Sequence, residues 1–133
     1  MYKKTITFED YNGEKMTADY YFNISKSELV SKQFSYAGGY SEYLKKIYDL
    51  KDNVKLYQVF EDLIKTAYGV KSDDGKRFIK NEEIYLEFKE SGAYDELIMS
   101  FFEDANNAVE FVKNVFPKDV ASQVDISKLN LPN

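Results

Sequence analysis

Lys4-Thr5-Ile6-Thr7-Phe8-Glu9, then Asp10-Tyr11-Asn12-Gly13-Glu14, then the run from Lys15 to Phe22 is the stretch that decides the fold. Lys4, Ile6 and Phe8 alternate with Thr5, Thr7 and Glu9, the two-residue period of a half-buried strand. Asn12-Gly13 between two β-prone runs is the strongest short-range hairpin signal, because both residues tolerate the positive φ of a type I′ turn. In the second run Tyr20 and Phe22 share one face and Tyr21 takes the other. A two-stranded ribbon is marginal in water. This hairpin, over about residues 3–22, therefore has to pack on the rest of the chain.

The rest reads as helices. Ser25-Lys26-Ser27-Glu28 fits a capping box, with Ile24 and Leu29 placed as a hydrophobic staple, and that helix is expected to end before Tyr36-Ala37-Gly38-Gly39. Ser41 is the expected cap of a second helix with Leu44, Ile47 and Tyr48 on one face. Asn53 is the expected cap of a third, whose stripe of Leu56, Tyr57, Phe60, Leu63, Ile64, Ala67 and Tyr68 runs to Gly69 as its stop. A turn over 72–76 precedes a short helix capped by Asn81. Two strong stripes follow, Tyr94 to Ala105 and Ala108 to Phe116, with Pro117 ending the second. The expectation is an α+β fold, mostly α: an N-terminal β-hairpin followed by about five or six helices in one compact domain over residues 1–117. Residues 118–133 are expected to form a short docked helix or a mobile tail.

At 133 residues one domain is the default, and about two-thirds of the unfolded surface can be buried. With 44% hydrophobic and 31% charged residues the chain is too apolar for disorder. It has no Cys and no His, which removes disulfides, thiolate nucleophiles, the usual structural zinc sites, the Ser–His pair and imidazole metal ligation. The net charge of −5, with Arg77 as the sole arginine, argues against a nucleic-acid partner. No apolar run approaches a membrane span and the start shows no signal peptide, so the protein is expected to be soluble and intracellular, away from membranes.

Motifs with chemical potential are weak. Asp73-Asp74-Gly75 suggests a calcium loop, but counting back from Gly75 places Val70, which cannot ligate, at the first ligand position; a solvated turn is the better reading. Gly38-Gly39 extends to no phosphate-binding pattern. Glu82-Glu83 and Glu103-Asp104 are explained as helix N-terminal carboxylates that favour the macrodipole. No catalytic residue, cofactor or metal site is expected.

The unusual feature is aromatic content, 12 Tyr and 10 Phe at 17% of the chain. Most belong in the core by their helical spacing, yet Tyr2, Tyr11, Tyr20, Tyr21, Tyr36, Tyr40, Tyr43, Tyr48 and Tyr85 exceed what one small core needs. Surplus Tyr suggests a protein-binding surface. Phe101, Phe102, Phe111 and Phe116 are the candidate partner-binding residues. Phe111 lies off the Val109–Val112–Phe116 stripe, as either a second core contact or an exposed anchor, and Phe101 and Phe102 lean toward the core.

The order of segments resembles a known family. Lys4 to Gly13 running into Asp19 to Leu29, then Gly39-Tyr40-Ser41-Glu42-Tyr43-Leu44, then Tyr68 to Lys80, then Phe116-Pro117-Lys118-Asp119, together resemble tail assembly chaperones of long-tailed phages and prophages of Gram-positive bacteria. The likeness covers roughly residues 4–121 and contains no catalytic signature. It implies a non-enzymatic protein that binds the tape measure protein and keeps it soluble while tail tube subunits assemble around it. It also implies action in the cytoplasm of the infected or lysogenic host and absence from the mature virion. The tail tube protein and a frameshifted longer form of the chain are further partners it implies; a homo-oligomer stays open, since the exposed hairpin edges permit a strand to be added to a neighbour. A structural tail component (completion or tube protein) and a small acidic phage-encoded inhibitor stay open as alternatives.

Overall fold

The computed structural model describes residues 1–117; the expectation about residues 118–133 lies outside them. The expected hairpin is β1 (Tyr2–Glu9) and β2 (Lys15–Phe22), paired antiparallel from Tyr2↔Phe22 to Glu9↔Lys15. Gly13 takes φ +81° in the connecting turn but Asn12 does not take a positive φ, so the hairpin closes through a three-residue loop and not the expected type I′ turn; Asp10 Oδ1 accepts from the backbone N–H groups of Asn12 and Glu14. Six helices follow among the described residues: α1 (Lys26–Ser35), α2 (Tyr40–Leu50), α3 (Asn53–Ala67), α4 (Glu82–Lys89), α5 (Gly92–Glu103) and α6 (Ala105–Val115).

The sequence reading did not anticipate two short strands, β3 (Tyr68–Lys71) and β4 (Phe78–Ile79), which extend the hairpin into a four-stranded antiparallel meander of order β1-β2-β3-β4. Gly69 therefore does not end α3 as a left-handed cap. The helix stops at Ala67, and Gly69 pairs with Tyr21 inside the sheet. A Cβ on Gly69 would lie 2.7 Å from the Phe78 ring and 2.9 Å from the Ile79 carbonyl oxygen, so the glycine serves close strand packing. The expected turn over 72–76 is the β3–β4 hairpin loop. In it the carboxylate of Asp74 accepts from Ser72 Oγ and Lys76 N, which holds its pKa below the usual value.

The caps are partly as expected. Ser25 and Glu28 form the capping box, and Asn81 accepts from Ile84 N at 2.8 Å. Two assignments shift. The N-cap of α3 is Asp52, whose Oδ1 accepts from Val54 N and Lys55 N, and Asn53 is the first helical residue. The carboxylate is the better acceptor for free amides at a positive helix end. The N-cap of α2 is Gly39, at φ +93°, and the free amide of Tyr40 donates to Gln33 Oε1 at 2.6 Å. A side chain of the preceding helix thus replaces the local cap. The α3 stripe is also displaced: Val59 is buried while Tyr57 faces outward.

The core lies between the inner face of the sheet and the helices. Ile6, Phe22, Ile24, Leu63, Ile64, Leu97, Phe111 and Val115 are all buried in it. No polar or charged residue is wholly buried among the described residues. Among the part-buried ones is Lys80, which follows β4. Its ammonium donates to the carbonyl oxygens of Asn23 (2.6 Å) and Thr66 (2.7 Å) and to Glu28 Oε1 (2.7 Å). One cation thus ties the sheet to the end of α3 and the start of α1. Burial alone would raise the Glu28 pKa, but the bonds from Lys80 and Ser25 outweigh it and the value is lowered from 4.5. The ionised pairing contributes stability above about pH 4.5 and loses it as pH falls through the depressed native value. Lys80→Met is expected to cost on the order of 2 kcal/mol at neutral pH, since it takes the donor from the Asn23 and Thr66 carbonyl oxygens and leaves Glu28 Oε1 with the Ser25 N–H alone. In urea melts the gap to wild type should narrow below about pH 4.5.

Candidate functional site: an apolar groove between helices

Four helices leave an apolar groove of about 170 Å³. Leu44 and Ile47 of α2, Val59 and Leu63 of α3, Phe101 of α5 and Val112 of α6 form its buried floor. Tyr48, Leu56, Phe60, Phe102, Ala105 and Val109 line it while keeping part of their surface in solvent. Among the described residues no charged side chain lines it, and Asn53 supplies the polar contact at one end.

The sequence builds this groove locally. Helix α3 carries apolar residues at 56, 59, 60 and 63, a stripe wide enough for both the core and the groove. The Phe60 ring meets Phe101 at 5.2 Å and Phe102 at 5.5 Å, both edge-on, which fixes α3 against α5. Asp104 ends α5 and begins α6. Its N–H donates to Ser100 O and its Oδ1 accepts from Asn106 N at 2.9 Å, so the two helices join at one residue. Asn107 reinforces the corner by donating to Ser100 O.

The four candidate phenylalanines divide. Phe101 is buried in the groove floor and Phe102, 43% exposed, stands at its rim. Phe111 is 2% exposed and faces the sheet, against the rings of Phe22 (5.2 Å), Tyr2 (6.0 Å) and Phe101 (5.2 Å). It is the second core contact, because α6 is buried on two sides. Phe116 is buried against Tyr40. Phe60, Leu56, Tyr48 and Val109 complete the groove. Their helical spacing was legible, but whether a stripe is wholly covered depends on how four helices meet.

The surplus tyrosines also sort. Tyr40 is buried and Tyr11 is 85% exposed, while Tyr36, Tyr43 and Tyr48 are half-buried. Tyr36 and Tyr43 stack at 4.1 Å beside Tyr40, with Lys32 over the Tyr40 ring and paired to Asp62 at 2.7 Å. Burial, with the Asp62 charge nearby, pushes the Tyr40 hydroxyl far above its ordinary pKa.

Among the described residues no acidic side chain lines the groove. Glu82 and Glu83 occupy the first turn of α4 as expected, with Glu82 3.6 Å from Lys65. Glu103, read from the sequence as a helix N-terminal carboxylate, instead closes the C-terminal turn of α5, and only Asp104 serves an N-terminus. Among the described residues no group of acidic side chains is placed to hold a metal ion, and no helix is long and apolar enough to cross a membrane.

Fold and groove define a class: a small acidic α+β module with an apolar, helix-lined groove. Residues 1–132 match the model of the family described as phage tail assembly chaperone, and the chain belongs to that family. Comparison with curated proteins and with solved structures finds no match. Chaperones of this kind are in general not enzymes; they take part in tail assembly through protein partners.

The buried Phe111 and the rim residue Phe102 should respond differently to charge. Phe111→Asp buries an unpaired carboxylate and should cost more than about 4 kcal/mol. Phe102→Asp, at the rim, loses the Phe60 contact and should cost about 1–2 kcal/mol, well below Phe111→Asp. Thermal unfolding followed by circular dichroism checks both.

Proposed function

We propose that this chain binds the tape measure protein of a long-tailed phage or prophage of Gram-positive bacteria and keeps it soluble until tail tube subunits polymerise around it. Family membership supports the role, and the open, uncharged groove is the observation that carries the mode. A tape measure protein is a very long helical chain whose apolar stripe is exposed before assembly. One turn after another of such a stripe offers residues at the i, i+3, i+4 and i+7 spacing that a groove between helices accepts. Phe102, Phe60, Leu56 and Val109 would take the client's apolar side chains, with Phe101 beneath them. The net charge of −5 would keep the complex soluble.

In this reading the protein acts in the cytoplasm of the infected or lysogenic host and is left out of the finished virion. The tail tube protein and a frameshifted, longer form of the chain are the further partners it would meet there.

Co-expression with the tape measure protein of the same phage tests the reading. The client should be soluble and co-elute only when the wild-type chain is present. Phe102→Asp should weaken capture by about tenfold, the usual effect of losing a well-placed aromatic anchor. Phe34→Ser, at a residue 86% exposed on α1 and outside the groove, should behave as wild type. A client that stays insoluble with the wild-type chain ends the chaperone proposal. Capture unaffected by Phe102→Asp moves the binding site away from the groove.

A further inference from the structure

We propose that residues 118–133 of this same chain fill the groove and must be displaced before a client segment enters it. Occupancy follows from this chain alone; the competition rests on the client reading above. Where the described chain ends selects the groove. Phe116 is buried with its ring edge-on to Tyr40 at 6.2 Å, so the exit at Pro117 lies where α6 ends and α2 begins. Ile24 N fixes that corner by donating to Val115 O. One turn on from the touching rings, Leu44 of α2 and Val112 of α6 already line the groove. The segment is thus tethered at one mouth of it.

Its length suffices. From Val112 to Ala105 the groove follows α6 for about 10 Å, at about 1.5 Å per residue. Sixteen residues would span about 24 Å even if wound as a helix, and about twice that if extended. The segment can run the length of the groove with residues to spare. A short tether sets an effective concentration of about 1 mM. A segment with an intrinsic Kd of only about 0.1 mM would then occupy the groove about nine-tenths of the time, and would weaken the apparent affinity for a client about tenfold.

The chemistry matches as well. Among the described residues the groove has no charged lining, so an ionised side chain entering it would lose water and gain no counter-charge. Residues 118–133 carry two lysines and two aspartates, for no net charge. None of the four falls within Val120-Ala121-Ser122-Gln123-Val124 or Leu129-Asn130-Leu131-Pro132-Asn133. Those two uncharged stretches supply Val120, Val124, Leu129 and Leu131 as aliphatic surface. A second hollow near the same corner, beside Tyr36 and Tyr43, suits them poorly: Glu42, Lys45, Lys46 and Asp49 interrupt its lining. Covering the groove would also remove an exposed apolar patch from the chain that has no client.

Three measurements on the full chain test this. Leu129→Asp combined with Leu131→Asp should release the segment, so that binding of an apolar fluorescent dye rises several-fold over wild type while unfolding stays cooperative. The chain has no cysteine, so engineered pairs report on a clean background. Val124→Cys or Leu129→Cys should form a disulfide within the chain with Val109→Cys, in the groove, far faster than with Lys45→Cys, in the other hollow. The double aspartate variant should hold the tape measure protein about tenfold more tightly than wild type does. Dye binding that the variant leaves unchanged overturns the proposal. So do disulfides that form as readily with Lys45→Cys, or that link two chains in place of one. A client held by wild type and no more tightly by the variant overturns it too, and leaves the client reading intact. A client held by neither ends the client reading, and dye and disulfide then decide occupancy on their own.

Discussion

The ring of Phe22 is the point on which the rest of the structure depends. It closes β2, is wholly buried, and lies within 6 Å of the rings of Tyr68, Phe88 and Phe111, from β3, α4 and α6. Such pairs each add about 0.5–1.5 kcal/mol beyond the area they bury. The backbone just after it does the same work with hydrogen bonds. Asn23 N donates to Ala67 O and Ile24 N to Val115 O, both at 2.8 Å. Three consecutive residues thus fasten a hairpin that would not survive alone to the C-terminal ends of α3 and α6.

The groove follows from that fastening. Its lining residues on α3 and α6 all lie N-terminal to those two ties, on the lengths of helix that no backbone hydrogen bond from the sheet holds among the described residues. There the helices are kept in place by side chains alone, chiefly Phe60 against Phe101 and Phe102. A core this rich in large rings fills the space beneath the sheet and has fewer small side chains with which to close the far side.

Local signals in the sequence were legible where one segment decides its own structure. The alternation around Asn12-Gly13 specifies the hairpin, Ser25 and Glu28 the start of α1, and Pro117 the end of α6, and all three are as read. What was hidden depends on distant partners. β3 and β4 are too short to show a period, and they exist because Tyr68 and Gly69 meet Phe22 and Tyr21. The cap of α2 comes from Gln33 in the preceding helix, which no local pattern announces. For the site, Phe101 and Phe102 lay on a visible stripe, but the burial of Phe111 follows from α6 being covered by the sheet as well as by α5.

Asp104 gives the groove an unequal pair of walls. Because one residue ends α5 and starts α6, with hydrogen bonds on both sides, no spare backbone torsion separates those helices. The opposite wall is jointed differently: Lys51 adopts φ +52° between α2 and α3, and α2 begins at Gly39 without a side-chain cap of its own. The two walls of the groove are therefore joined unlike: one is a direct elbow of two helices sharing a residue, and the other, which carries Tyr48, meets its neighbour through a left-handed residue.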